Sequence, residues 1–201
     1  VLQTPQYYSS GNLLPDSSTS ISLGNYNFTL GTHTIKAWSS LPNGVADTLN
    51  YNDTAEVTIT VCNIMSGIYT IGGSGADYPS FSAAVNALGQ CGIGGPVTFN
   101  VASGTYNEQF TIPQISGASA TNRVTFQSST GNAADVVISY NASSTNNWTV
   151  NLDGADYVSL QYMTITADDS TYARVLQVTG GAEYNLVDNC ILISQPVARS
   201  G

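Results

Sequence analysis

The sequence predicts an all-β chain in which half of a β-sandwich precedes a parallel β-helix, with one α-helix capping the β-helix. Three observations carry this. Short runs rich in Val, Ile, Thr, Tyr and Phe, bounded by Gly, Asn, Asp and Pro, recur along the chain. One stretch alone has clear helical periodicity. A gapless internal repeat, which carries Gly154 onto Gly181, marks the C-terminal part.

In the first third the strand signals are Ser18–Leu23, Tyr26–Leu30, His33–Ser39 and Glu56–Val61, with Gly31-Thr32 as a tight turn. Along Thr32 to Trp38 neither alternating face is cleanly apolar, so the inward face stays open. Leu41–Asn52 reads as a polar loop, and its Asn43-Gly44 favours a turn. Four strands make roughly half of a sandwich in which about seven are usual. The missing strands are expected ahead of Val1 or from another chain. The chain begins Val-Leu-Gln and stops soon after the apolar run Cys190–Ile193, so it is expected to be a piece of a longer chain or a processed product.

Asn63–Asp77 is punctuated by glycines around the short strand Tyr69–Ile71. The helix follows from Ser80 to about Leu88, with Phe81, Ala84, Val85 and Leu88 forming one apolar stripe. Ser80 suits its N-cap and Gly89 its C-terminal end. From Pro96 onward strands are expected over Val97–Val101, Gln109–Ile112, Arg123–Gln127, Val136–Tyr140, Thr149–Leu152, Tyr157–Gln161, Thr164–Thr166, Val175–Val178, Tyr184–Val187 and Cys190–Ser194. No long helix separates them, which excludes a βαβ sheet. In the repeat, two runs of strand flank a short kink, Gln161-Tyr162 in one copy and Asp188-Asn189 in the other. Asn suits a kink because it tolerates positive φ. Such units bury their apolar faces only by stacking on neighbours.

Four Lys+Arg against thirteen Asp+Glu give a net charge of −9, with 8% of residues charged and 42% hydrophobic. So few cations cannot neutralise a run of nucleic-acid phosphates, nor hold an anionic membrane surface. No apolar run reaches the roughly 20 residues of a membrane span. Charge-driven disorder is excluded by the hydrophobic content. Cys62 and Cys91 lie in Gly-rich, loop-like surroundings and are candidates to pair as a disulfide; Cys190 reads as a buried free thiol. The absence of CxxC and the single His33 give no metal-binding pattern.

The groups that could carry chemistry are sparse. The cations are Lys36, Arg123, Arg174 and Arg199. Asp153 and Asp156 flank a Gly-Ala turn and are expected to serve turn geometry. Asp168-Asp169 reads as a solvated loop, with Ca²⁺ ligation as the minor reading. Glu108 is expected to be structural, at the mouth of the first coil, and His33 to lie on a strand surface. Gly72-Gly73-Ser74-Gly75 lacks the lysine and the spacing of a phosphate loop. N-glycosylation sequons begin at Asn27, Asn52, Asn141 and Asn147, and Asp47-Thr48-Leu49 and Asp53-Thr54-Ala55 resemble a bacterial O-glycosylation pattern, which makes Thr48 and Thr54 candidate sites. Tyr7, Tyr8, Tyr140 and Tyr172 are candidates either to stack on sugars or to pack at turns and edges.

Asp77-Tyr78-Pro79-Ser80-Phe81-Ser82-Ala83-Ala84-Val85, followed by Gly104-Thr105-Tyr106-Asn107-Glu108-Gln109-Phe110-Thr111-Ile112, resembles the opening of pectin-lyase-fold proteins, pectin methylesterases among them. The run from Tyr69-Thr70-Ile71-Gly72-Gly73 through Gly95-Pro96-Val97-Thr98-Phe99-Asn100-Val101 looks still more like β-helix modules of large secreted bacterial adhesins of the gliding-motility type. Leu14 to Thr19, Gly31 to Trp38 and Asn50 to Thr54 resemble the second half of a CARDB-type, immunoglobulin-like domain. These resemblances imply a partial immunoglobulin-like sandwich over 1–62 and a right-handed parallel β-helix over 63–201. Lyase-like sites in such helices need a basic residue, and esterase-like sites need two Asp, an Arg and Gln on successive coils. No such constellation is legible here. The resulting expectation is a non-catalytic spacer and adhesion segment of an extracellular bacterial surface or filament protein, without catalytic residues or cofactor. Its partners would be neighbouring domains, other copies or surface polysaccharide. The alternatives are a polysaccharide-active β-helix enzyme, or a fibre subunit completed by a neighbour's strand.

Overall fold

The structure, a computed structural model, describes residues 19–22, 24–38, 54–169 and 173–194. The chain divides into two units, Val1–Val61 and Cys62–Gly201. In the first, β1 (Gly31–Trp38) pairs antiparallel with β2 (Thr54–Val61), with Gly31 opposite Val61 and Trp38 opposite Thr54. Lys36 meets Glu56 across the pair at 3.9 Å, an exposed contact of little energetic weight. Of the expected strands Ser18–Leu23 and Tyr26–Leu30, the described residues 19–22 and 24–30 form no ladder, and Ser18 and Leu23 lie outside the described residues. Here Tyr26, Phe28 and His33 cluster locally, with ring centroids 4.8 and 5.0 Å apart, and strand propensity does not suffice where no described strand lies alongside. Among the described residues the expected sandwich is therefore present only as one hairpin.

The second unit is a parallel β-helix. Its elements are β3 (Met65–Ile71), α1 (Phe81–Cys91), β4 (Ile93–Val101), β5 (Gly104–Asn107), β6 (Phe110–Pro113), β7 (Val124–Ser128), β8 (Val136–Tyr140), β9 (Trp148–Asp153), β10 (Val158–Gln161), β11 (Thr164–Ala167), β12 (Arg174–Thr179), β13 (Leu186–Asp188) and β14 (Ile191–Ser194). They form three parallel sheets, ordered β3-β4-β7-β10-β13, β5-β8-β11-β14 and β6-β9-β12. Each turn of the chain adds one strand to each sheet. β5 is an element the sequence reading left out.

The register shows how loops are accommodated. Phe99, Phe126, Leu160 and Val187 face each other across the first sheet. The coil from Leu160 to Val187 has the length of the detected repeat, and the second sheet keeps that spacing, with Ile165 opposite Leu192. The coil from Phe126 to Leu160 is longer. The coil from Phe99 to Phe126 again has the repeat length but distributes it differently. Its step from the first sheet to the second, Phe99 to Tyr106, is longer than the matching step from Leu160 to Ile165. Asn189 adopts the left-handed conformation expected of it, with φ of 51°, and Tyr162 at the equivalent kink shares it, with φ of 53°.

Inward side chains alternate with outward ones, and like stacks on like. Phe99 stacks on Phe126 with centroids 4.8 Å apart. α1 closes the end of this core with Phe81, Ala84, Val85 and Leu88, all buried. Phe81 stacks on Phe110 at 5.1 Å and touches Phe126 at 5.9 Å. Ser80 caps α1 by accepting the Ala83 N–H at 3.1 Å. The helix runs on past the expected stop at Gly89 to Gly92, whose φ of 64° ends it. A disulfide between Cys62 and Cys91, at a sequence separation of 29, pins that last turn. Gly117 is required by contact: with φ of 88°, a Cβ there would overlap the Ile93 carbonyl oxygen.

Glu108 is the second cap of α1. Its carboxylate accepts the N–H groups of Phe81 and Ser82 at 3.0 Å each and the Ser82 hydroxyl at 2.7 Å. A carboxylate at this end also opposes the positive end of the helix dipole. Replacing Glu108 with Ala is expected to cost about 2 kcal/mol, since orphaned N–H donors lose charge-assisted bonds. Urea denaturation measures it, and Glu108→Gln, which keeps one acceptor, should lose less.

Cys190 is a free thiol, half-buried just ahead of β14 rather than fully buried within it. Burial pushes its pKa up, and its Sγ lies 3.3 Å from the Leu160 carbonyl. The last coil's Leu186, Val187, Ile191, Leu192 and Ile193 remain between 38% and 49% exposed, covered by the preceding coil on one side.

Candidate functional site

Parallel strands in register place equivalent outward residues in rows. On the first sheet Thr70, Asn100, Gln127, Gln161 and Asp188 form one such row. Gln127 donates to the Asn100 side-chain oxygen at 2.9 Å. At one end Asp77 accepts the Thr70 N–H and hydroxyl at 2.8 Å each. The Thr70 hydroxyl, then its N–H, hold the Asp77 pKa below the ordinary 3.8. A depressed folded pKa favours the carboxylate in the folded state. The stability it adds is present above pH about 4 and is lost as pH falls through the depressed value. Asp77→Asn should therefore flatten the acid limb of a melting-temperature profile below about pH 4, leaving the neutral region's slope unchanged.

Arg123 lies across the same sheet. It donates to the Tyr184 carbonyl at 2.9 Å from both terminal nitrogens and to Ser159 Oγ at 3.2 Å. The guanidinium also sits 5.8 Å from the centre of the Tyr157 ring, which stacks on Tyr184 at 4.9 Å. The cation is thus committed to tying successive coils together.

A depression of about 330 Å³ opens on the second sheet, lined by Asn107, Ser139, Tyr140, Asn141 and Asp168. Asn107, Ser139 and Thr166 stand in register on β5, β8 and β11. The Asp168 N–H donates to the Tyr140 carbonyl at 2.9 Å, which fixes the loop after β11. The Asp168 carboxylate accepts the Ser139 hydroxyl on one oxygen and the Thr166 hydroxyl, at 2.5 Å, on the other. A carboxylate offers about four lone-pair sites, so it retains capacity for further donors. The Asn107 and Asn141 amides are exposed. The site presents hydroxyl, amide, carboxylate and a phenol ring to solvent. It suits a ligand rich in hydroxyl groups. Among the described residues the depression holds one carboxylate, so the paired carboxylates of glycoside hydrolysis are not assembled there.

The other candidates are dispersed. Asp153 and Asp156 do not pair with each other or serve only their own turn. Asp153 accepts from the Thr179 hydroxyl at 3.1 Å and Asp156 from the Glu183 N–H at 2.7 Å, so both bind the next coil. Arg174 bonds Gln177 at 2.9 Å. His33 bonds the Thr29 carbonyl at 2.7 Å. Thr54 is exposed at the start of β2. Asp169 directly follows Asp168 in the loop after β11. Thr48, Arg199, Tyr7, Tyr8 and Tyr172 lie outside the described residues. Among the described residues no three of His, Cys, Asp and Glu converge as metal ligands, and no helix is long and apolar enough to cross a membrane. Sequence reasoning missed Asn107 and Ser139 as site residues. Ser139 precedes Thr166 by the same offset as Gly154 precedes Gly181, and was within reach of the repeat. Asn107 was not, because its offset to Ser139 is longer than the repeat.

No protein-family model matches the chain, and no curated protein matches it. Solved structures with a similar fold are pectin methylesterases. The enzyme from Aspergillus niger, in deglycosylated form, is 25% identical, with 64% of this chain and 44% of that chain covered and a TM-score of 0.47. The Erwinia chrysanthemi enzyme is 14% identical, with 66% and 46% covered and a TM-score of 0.46. A pectin methylesterase in complex with a hexasaccharide is 17% identical, with 65% and 46% covered and a TM-score of 0.44. The chain spans less than half the length of these structures. Two expectations, that the chain is a non-catalytic spacer and adhesion segment and that it is no enzyme, are corrected by these neighbours, which are enzymes. Residues that meet across these coils are not equally spaced in sequence: Asn107 to Ser139 is a longer offset than Ser139 to Thr166, so spacing alone does not reveal which groups converge. The parallel β-helix rests on the three parallel sheets themselves, and nothing in the comparisons extends to an adhesin or CARDB context.

Proposed function

We propose that this chain is part of a polysaccharide-active β-helix enzyme and contributes a saccharide-binding surface to it. The observation that carries this reading is the depression on the second sheet, built from Asn107, Ser139, Tyr140, Asn141 and Asp168. Its side chains are those that pair with sugar hydroxyls, and Tyr140 offers a ring for stacking. They stand on the rigid strands β5 and β8 and on the segments directly following β8 and β11, so little ordering is needed on binding. Hydroxyl-to-carboxylate bonds from Ser139 and Thr166 hold Asp168 in place before any ligand arrives. The Cys62–Cys91 disulfide suits an oxidising compartment, and we place the protein outside the cell.

The test is turnover by the full-length protein on a panel of pectin, polygalacturonate, xylan and alginate, read as released methanol, new reducing ends or unsaturated products. Turnover of at least one polymer is expected, with retention on an affinity gel made from it. A protein that neither turns over nor binds any of them would overturn the reading.

A further inference from the structure

We propose that the depression on the second sheet selects neutral, hydroxyl-rich saccharide units and rejects uronate units; this rests on the polysaccharide reading above. Recognition of a uronate carboxylate needs a cation, normally a guanidinium that pairs with both oxygens. Among the described residues the depression has none: those that line it are Asn107, Ser139, Tyr140, Asn141 and Asp168. The described cations are committed elsewhere. Arg123 is spent on the Tyr184 carbonyl and Ser159, Arg174 on Gln177, and Lys36 faces Glu56. The charge facing an incoming sugar is the Asp168 carboxylate, and the whole chain carries −9. A second carboxylate brought there meets like charge at close range, which disfavours it most at low salt.

Asp168 also supplies the positive half of the selection. Ser139 and Thr166 each donate to a different carboxylate oxygen, so one lone-pair site on each oxygen remains for the ligand. Two adjacent hydroxyls of one sugar ring match that pair of acceptors. The Asn107 and Asn141 amides flank the carboxylate and can donate to ring or bridge oxygens as well as accept from hydroxyls. A methyl-esterified uronate is neutral and belongs with the accepted class.

The experiment measures binding of three probes to the full-length protein by calorimetry: xylohexaose, fully methyl-esterified hexagalacturonate and de-esterified hexagalacturonate. At least one neutral probe is expected to bind about tenfold or more tightly than the de-esterified one at low salt, with the gap narrowing as salt rises. Asp168→Asn is expected to weaken the neutral probe about tenfold, since a charged acceptor is lost, and to strengthen the de-esterified one. Asn107→Ala, at an exposed strand end, should weaken the neutral probe a few-fold while leaving the melting temperature unchanged, which separates binding from folding. Preference for the de-esterified probe, or indifference of both classes to Asp168→Asn and Asn107→Ala, would overturn the selection while leaving the polysaccharide reading intact. If no probe binds but the polymer panel is turned over, this depression is not the subsite. If neither binding nor turnover occurs, the polysaccharide reading itself fails.

Discussion

Replacing Phe126 with Ala is expected to lower stability by about 3–5 kcal/mol, the cost of removing a fully buried aromatic and leaving a cavity. Phe126 is 0% exposed. It stacks on Phe99 of the preceding coil and touches Phe81 of the capping helix, so one side chain joins three elements. Typical domains have only about 5–15 kcal/mol in total, so the loss consumes a large share of it. A urea titration followed by far-ultraviolet circular dichroism reads the change as a shift in midpoint. Gln127→Ala, the neighbouring residue on the outward face, is the control. It removes one bond to Asn100 and should cost no more than about 1 kcal/mol. Equal losses at the two positions would contradict the inward and outward assignment of β7.

Breaking the disulfide is the second large effect. Cys62 and Cys91 close a loop with a sequence separation of 29. The loss of that constraint on the unfolded chain is worth about 3–4 kcal/mol in the chain-entropy account. The consequence should be local as well as global. Cys91 ends α1, which lacks a basic residue in its last turn and carries Gly89 in its interior, a residue that costs roughly 0.5–1 kcal/mol there. The Cys62→Ser, Cys91→Ser double variant is expected to melt well below the unaltered protein and to exchange the amides of α1 faster than those of β7 and β10. Reductant should lower the melting temperature of the unaltered protein and leave that of the double variant unchanged. Insensitivity of the unaltered protein to reductant would show that the bond contributes nothing.

Much of the β-helix was legible because its signals are local. Phe81, Ala84, Val85 and Leu88 announced the helix, and the same residues are buried against the coils. The repeat from Gly154 to Gly181 matched β10 and β11 to β13 and β14 in the register the structure has. Strand boundaries from β7 onward fell within about two residues of those observed. Illegible features were those set by distant partners. Gly89 read as a helix end, yet a helix tethered by its final cysteine runs on to Gly92. Tyr26 to Leu30 had strand composition, yet among the described residues it pairs with no strand. The Asp153 and Asp156 carboxylates read as serving their own turn, while their partners lie on the next coil.

The sequence by itself determined that the described residues are all-β with one capping helix, that they stack in coils, and that the chain is acidic and poor in cations. Those properties follow from periodicity, repetition and charge, which need no knowledge of what lies nearby in space. Only the tertiary structure decided which residues meet. The coil from Phe126 to Leu160 is longer than those on either side, and loops of unequal length absorb the difference. Asn107, Ser139 and Asp168 therefore converge although no constant spacing connects them, because backbone hydrogen bonding aligns strands by register and not by the number of residues between them.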